Sequence, residues 1–329
     1  MTHEQHQETV SSQQSIHFSL SEVEEEFGTR PFAVPSISYL RLLAEDVARS
    51  IDTGMRASHR HPVRIVLEPP QKDVEKLIAS AIAGLDYNGN TLDEALPEFM
   101  HDCVYTVMAF GEAVYELVYH TDRKTGRVVR FNLRLSPPGS LERHRGSLAQ
   151  HLPPAVARRI GVQERIELRP DSILAFLPPA PFRVELAAMR RRLSGTNALG
   201  EIASAIDRQL REGTPLPFNP AAHMRVEHLA VAQATRAVGW DVRHLIRKEV
   251  TEYYAVQRRL RFERFKCLLS DDIIATLNEG LERIGRRAEF SARIALSGMP
   301  TVMDLDEAEA QLARGDRTFE DVLRPFLLS

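Results

Sequence analysis

The chain has 329 residues, of which 43% are hydrophobic and 26% charged, ordinary proportions for a globular protein long enough to divide into two domains. Its 42 basic and 45 acidic residues leave a formal net charge of −3, so no global field directs it to nucleic acid or membrane, and any such partner must meet a local patch. Two distant cysteines, Cys103 and Cys267, exclude a disulfide scaffold and a zinc ribbon and read as buried structural thiols. No apolar run reaches the roughly 18 residues of a membrane span, and the polar start lacks a signal core, so a soluble cytoplasmic protein is expected.

Residues 1–15 are rich in Gln, Ser, Thr and His and read as a disordered arm. Ser19 and Ser21 offer helix caps before the acidic run Glu22 to Glu26, which suits a first turn. From Ser36, Leu40, Leu42, Leu43, Val47 and Ile51 recur at helical spacing until Gly54. A short strand follows within His61 to Pro69, then a helix from about Asp73 to Leu85 and a turn at Tyr87-Asn88-Gly89-Asn90. Thr91 and Glu94 have the spacing of a capping box for a helix that runs to Phe110.

The clearest β signal comes next. Ala113 to Tyr119 and Val128 to Leu135 flank the polar turn Asp122 to Gly126, which predicts a β-hairpin with strands near 113–120 and 127–135. Gly111 lets the preceding helix stop and the strand begin without a Cβ clash. Pro137-Pro138-Gly139 stops the second strand, and residues 140 to 170 carry no clear period until Arg165 to Leu168 and Ser172 to Leu177, two expected strands. Residues 183 to 212 are helical in pattern with a break at 194–197, and the proline-rich joint Thr214 to Pro220 marks a hinge.

From Ala221 to about Lys266 there is no proline and one glycine, Gly239, so the span is one bent rod or two helices meeting near Gly239-Trp240. Asp271 is expected to open a further helix, Phe290 to Leu296 a strand, and the acidic stretch from Met303 a helix, with Thr318 to Leu328 closing the chain. Together these elements predict an α+β fold of mixed helices, a β-hairpin and short strands.

No phosphate loop, dinucleotide fingerprint, nucleophile elbow or HExxH helix is present. His59 and His61 are two apart and His223 and His228 five apart, spacings that do not place two ligands on one helical face. No metal or cofactor is therefore expected. Glu112 and Glu116 would share a strand face and could form an acid/base pair, against the plainer alternative of ion-paired or solvated carboxylates. The span 221–266 is the one local charge signal, with ten basic residues against five acidic ones, and it is densest from Gln257 to Lys266. A solvated helix face and contact with phosphates both fit it. Its apolar residues Val242, Leu245, Ile246, Val250, Tyr253 and Val256 recur mostly at three or four and are expected to pack against a neighbour or the chain's own core. Its wet side then carries Arg243, Arg247, Arg258 and Arg261. Arg258, Arg259 and Arg261 are the candidate DNA-facing residues.

The stretch His61 to Phe176 resembles the core of phage portal proteins. A helix (Leu96-Pro97-Glu98-Phe99 to Phe110) runs into the junction Gly111-Glu112-Ala113-Val114-Tyr115-Glu116. The turn Lys124 to Val128 and the segment Leu135-Ser136-Pro137-Pro138 follow, and Arg169-Pro170-Asp171-Ser172-Ile173-Leu174-Ala175-Phe176 supplies the Pro-x-Asp strand. The resemblance covers about a third of the chain. The chain is short for a portal, shows no stretch for the clip that docks the packaging motor, and has an acidic C-terminal part that matches no feature of the family. The resemblance implies a wing-like α/β domain with hairpin over 16–213. It also implies a stem-like long-helix region with a C-terminal α/β part over 221–329. It further implies a non-enzymatic subunit of a homo-oligomeric ring such as a dodecamer, with double-stranded DNA passing through its channel. Its partners would be capsid and packaging-motor proteins, and its place the virion and the host cytoplasm. The alternatives are a globular regulatory or nucleic-acid-binding protein using the basic helix, and an enzyme using Glu112 and Glu116.

Overall fold

The computed structural model describes residues 8–10, 39–56, 63–83, 91–144, 147–194, 220–241, 243 and 251–323. The expected acidic helix at 22–26, the turn at 87–90, the His59/His61 pair, the break at 195–197 and the joint before Pro220 lie outside these residues. The fold is α+β, as the sequence predicts, with three small antiparallel sheets among the described residues. The chain forms two compact units whose segments interleave. The first takes 51–177 and 271–299 together with the N-terminal strand, and the second takes 34–50, 178–270 and 300–329. The division expected at 214–220 instead falls inside the second unit, because early and late segments of the chain also contribute to each core.

In the first unit, β1 (Glu8–Val10), β3 (Ala113–Asp122), β4 (Val128–Leu135) and β8 (Ile173–Phe176) make one sheet. β2 (Arg64–Glu68) pairs with β9 (Arg293–Ser297), and β5 (Leu141–His144), β6 (Ser147–His151) and β7 (Arg165–Leu168) form a third sheet. Helices α1 (Tyr39–Met55, in part), α2 (Lys72–Ile82), α3 (Leu92–Phe110) and α4 (Pro154–Ile160) belong here as well. Of the expected disordered arm at 1–15, the described residues Glu8 to Val10 are instead a strand that bonds to the far end of β3. A strand edge offers backbone donors and acceptors, so this pairing needs no apolar side chains.

β3 is the spine of the unit. β4 pairs along one edge from Tyr115↔Leu135 to Thr121↔Val128, and β8 pairs along the other from Ala113↔Phe176 to Glu116↔Ile173. Nine of its ten residues are buried, which explains an apolar, aromatic run rather than a clean alternation. Phe99 of α3, Tyr115 and Phe176 form a ring cluster with centroids 5.1 to 5.7 Å apart, so helix, spine and edge strand share one aromatic contact. The hairpin turn is set by Asp122, whose side chain accepts from the Lys124 and Thr125 amides at 2.6 and 3.2 Å, while Gly126 takes φ 69°.

Gly111 ends α3 in the left-handed region with φ 95°, its amide donating to Val107 O at 2.8 Å, as the sequence predicts for this junction. Thr91 makes no side-chain cap, contrary to the expected capping box. The acidic first turn, Asp93 and Glu94, serves the helix dipole instead.

The longest helix, α7 (Glu252–Ala288), corrects the expected start at Asp271: it passes that residue without a break, because an Asp inside a helix does not end it while the apolar period continues. Its C-terminal part belongs to the first unit. There Gly280 lies so close to β8 that a Cβ would stand 2.5 Å from Leu174 Cδ1. Arg283 donates to Ile173 O (2.8 Å) and Pro170 O (3.2 Å), fixing the start of the Pro-x-Asp strand. Asn278 staples β9 through both amide groups, donating to Ile294 O at 2.9 Å and accepting from Ile294 N at 2.7 Å.

The second unit is helical among the described residues. It holds the first part of α1, then α5 (Arg183–Ser194), α6 (Pro220–Ala234), the first part of α7, α8 (Val302–Arg314) and α9 (Phe319–Leu323). Val256, Leu260, Cys267, Leu305, Ala308 and Val322 form its core between α7, α8 and α9. A capping box does occur here: Thr301 Oγ1 accepts from the Asp304 amide, and the Asp304 carboxylate accepts from the Thr301 amide at 2.8 Å.

Candidate nucleic-acid interface

Of the two arrangements open for 221–266, a single unbroken rod is excluded, and the described residues form two helices. α6 ends at Ala234, residues 235–239 turn, Gly239 takes φ 75°, and α7 starts at Glu252. The turn cannot be bulkier. A Cβ at Gly239 would lie 2.2 Å from Arg258 O and 2.7 Å from Phe262 N, so the backbones of turn and helix touch. Because the helical phase restarts at α7, the two-sided pattern drawn for one rod does not carry across.

Arg258 is the clearest casualty. Expected on a wet, DNA-facing side, it is buried, with 1% of its surface exposed. Its guanidinium donates to Ala232 O at 2.9 Å, to Thr235 Oγ1 at 3.1 Å, to Trp240 O, and to Tyr254 Oη at 3.3 Å. Ala232 O is one of the last carbonyls of α6, which a cation satisfies well. Arg258 thus ties the α6–turn segment to α7 and cannot approach DNA. The same turn is anchored on α1, where Asp46 accepts from Trp240 Nε1 at 2.9 Å and from both faces of the Arg243 fork at 2.6 to 3.0 Å.

Arg259 is half-buried and ion-paired with Glu263 at 2.8 Å. The other Glu263 oxygen meets Lys266 Nζ at 2.7 Å, and Lys266 also donates to Ser50 Oγ at 2.7 Å. Burial pulls the Lys266 pKa down, and the Glu263 carboxylate opposes that pull. These cations are internally compensated. Tyr253, expected on the apolar side, is exposed, while Val256 is buried; Val242, Leu245, Ile246, Val250 and Arg247 lie outside the described residues.

Arg261 alone of the three opens onto a cavity. It lines a cleft of about 480 Å³ together with Glu185, Met189 and Arg192 of α5 and with Gln233 and Arg236 from the end of α6 and its turn. Among the described residues, Arg236 and Arg261 make no side-chain hydrogen bond or ion pair. Three arginines against one glutamate make this an anion-attracting cleft. Arg192 is not singled out by the sequence, and Arg236 is one of the ten basic residues of 221–266 but not one of the DNA-facing candidates. The run Arg190-Arg191-Arg192 was a visible signal, but its meeting with Arg236 and Arg261 is a tertiary contact.

The junction residues sit elsewhere, in the first unit. The Glu112 carboxylate is clamped by Arg143 from β5, through Nε at 2.8 Å and a terminal nitrogen at 2.7 Å. Glu116 is fully buried in β3 between Arg134 and Ile173 of the neighbouring strands. Glu112 precedes the strand, so the two carboxylates do not sit as successive same-face residues of β3. Both cysteines are free and buried. Burial pushes the Cys103 thiol well up, with the nearby Asp102 adding to the rise. Among the described residues no cluster of His, Cys, Asp or Glu could hold a metal ion, and no helix is long and apolar enough to cross a membrane.

Compared with known proteins, the sequence matches no protein-family model and no curated protein.

Proposed function

We propose that this protein is a non-enzymatic, ring-forming subunit of the phage-portal kind, forming a channel for double-stranded DNA at a capsid vertex. The observation that carries the proposal is the body built by residues 92–176. Helix α3 stops at left-handed Gly111, the hairpin β3–β4 follows, and the Pro-x-Asp strand β8 returns to pair with the start of β3. That order of elements is what the portal resemblance implies. In this role the protein needs no cofactor, works in the virion and the infected cytoplasm, and meets capsid and packaging-motor proteins. Negative-stain microscopy of the purified full chain, with its mass in solution, tests the reading. Rings many times 37.2 kDa are expected, and a uniform monomer overturns it.

The cleft of Arg192, Arg236 and Arg261 favours a second reading, a globular regulatory or nucleic-acid-binding protein. A monomer that binds DNA with a salt dependence lost in Arg236→Glu/Arg261→Glu would select it.

A further inference from the structure

The helices that line the arginine cleft also carry exposed aliphatic side chains. Val184, next to Glu185 on α5, is 79% exposed, and Leu229, one turn before Gln233 on α6, is 36% exposed, with Val226 exposed on the same helix. Single exposed aliphatics are common, but these share helices with a cleft whose lining includes Met189. A phosphate backbone has no use for exposed valines or for Glu185. A protein segment combining carboxylates with an apolar knob uses all of these features.

The second unit itself carries such a segment. Residues 302–323 hold seven acidic side chains against two arginines, while α5 holds four arginines against one glutamate. Met303, in the first turn of α8, is 81% exposed. Around it the carboxylates are held in place: Asp304 by Thr301, Asp306 by Arg264, and Glu307 by Gln311 at 2.7 Å. Arg264 also pairs with Glu309, and Arg314 with Glu307 and Asp316, so the surface keeps a net acidic excess rather than bare carboxylates, with one flexible thioether projecting from it.

We propose that the Met303 end of α8 docks into the Arg236–Arg261 cleft of a second copy of this chain. Met303 would enter beside Met189, and the flanking carboxylates would face Arg192, Arg236 and Arg261. The two surfaces differ, so the contact is head-to-tail, the kind that closes into a ring when its rotation closes. Complementary charge sets partner and register, and the apolar contact supplies the attraction. The proposal rests on the ring-subunit reading, which requires contacts between copies without saying which surfaces make them.

Sedimentation velocity of the full chain tests it with two variants, Arg236→Glu/Arg261→Glu and Met303→Arg. All three residues are at least partly exposed, so both variants should fold, and circular dichroism checks this. Wild type should assemble, and each variant alone should stay near 37.2 kDa. Mixed, they should form a heterodimer of twice that mass and nothing larger, because only one intact cleft and one intact Met303 surface remain. If the double arginine variant misfolds, Met303→Arg decides by itself. Should either folded variant assemble like wild type, or the folded mixture stay monomeric, the proposed contact is wrong while the ring reading stands. Monomeric wild type overturns the ring reading and this proposal with it. Intact rings of Arg236→Glu/Arg261→Glu that have lost DNA retention would assign the cleft to nucleic acid and overturn the proposal.

Discussion

Replacing Arg258 with Ala should unfold the second unit far more easily without touching any exposed face. The guanidinium is buried and serves Ala232 O, Thr235 Oγ1 and Trp240 O. Thr235 Oγ1 still donates to Val231 O at 2.9 Å, so the main loss falls on the two carbonyls. Each buried carbonyl left without a donor costs about 1–3 kcal/mol. The cavity left by the side chain adds to this, and relief of the burial penalty on the cation subtracts from it. A net loss of about 3 kcal/mol follows. With a urea m-value of about 3 kcal/mol/M for a chain of this size, the midpoint should fall by about 1 M. Trp240 is the only tryptophan, is itself buried, and is one of the Arg258 partners, so its fluorescence reports this unit directly. Protein concentration must be held constant, because self-association also stabilises the folded chain. Arg261→Ala, in the open cleft, is the control and should stay within about 0.5 kcal/mol. A midpoint for Arg258→Ala within about 0.2 M of wild type, at unchanged m, would refute the structural role assigned to this residue.

Three further outcomes can be checked on the same material. Gly239→Ala should cost at least about 2 kcal/mol by Trp240 fluorescence, since it combines a positive φ with a Cβ 2.2 Å from the Arg258 carbonyl; a silent substitution would mean that turn and helix are not in contact. Thr301→Ala should cost about 1 kcal/mol near neutral pH. The Asp304 pKa is lowered by the Thr301 amide and hydroxyl, so its contribution is present above the ordinary carboxylate range and fades as pH falls through the depressed value; a loss that does not shrink on acidification would contradict the capping box. Cys103 and Cys267 should react with a thiol reagent only after urea unfolding, because both are buried and the Cys103 thiolate is strongly disfavoured; fast labelling of the native protein would show otherwise.

What the sequence determined by itself is local. The hairpin was legible because β propensity, a polar Asp–Gly turn and a glycine at the helix end agree within about two dozen residues. The α+β class, the helices before and after the hairpin, and the buried cysteines follow from period and composition in the same way. The tertiary structure decided whatever depends on segments far apart in the chain. Arg258 looks like a surface arginine until the α6 turn covers it, and nothing in residues 255–261 announces that turn. Glu8 to Val10 read as an idle arm until the edge of β3 supplies partners. The long α7 hides its division between two cores, because its helical period is continuous while its neighbours change. The arginine cleft joins residues from α5, the end of α6 and α7, and their charges gain meaning only when packing points them into one space. Periodicity reports which face of an element is apolar, but what covers that face is set by contacts that sequence spacing does not encode.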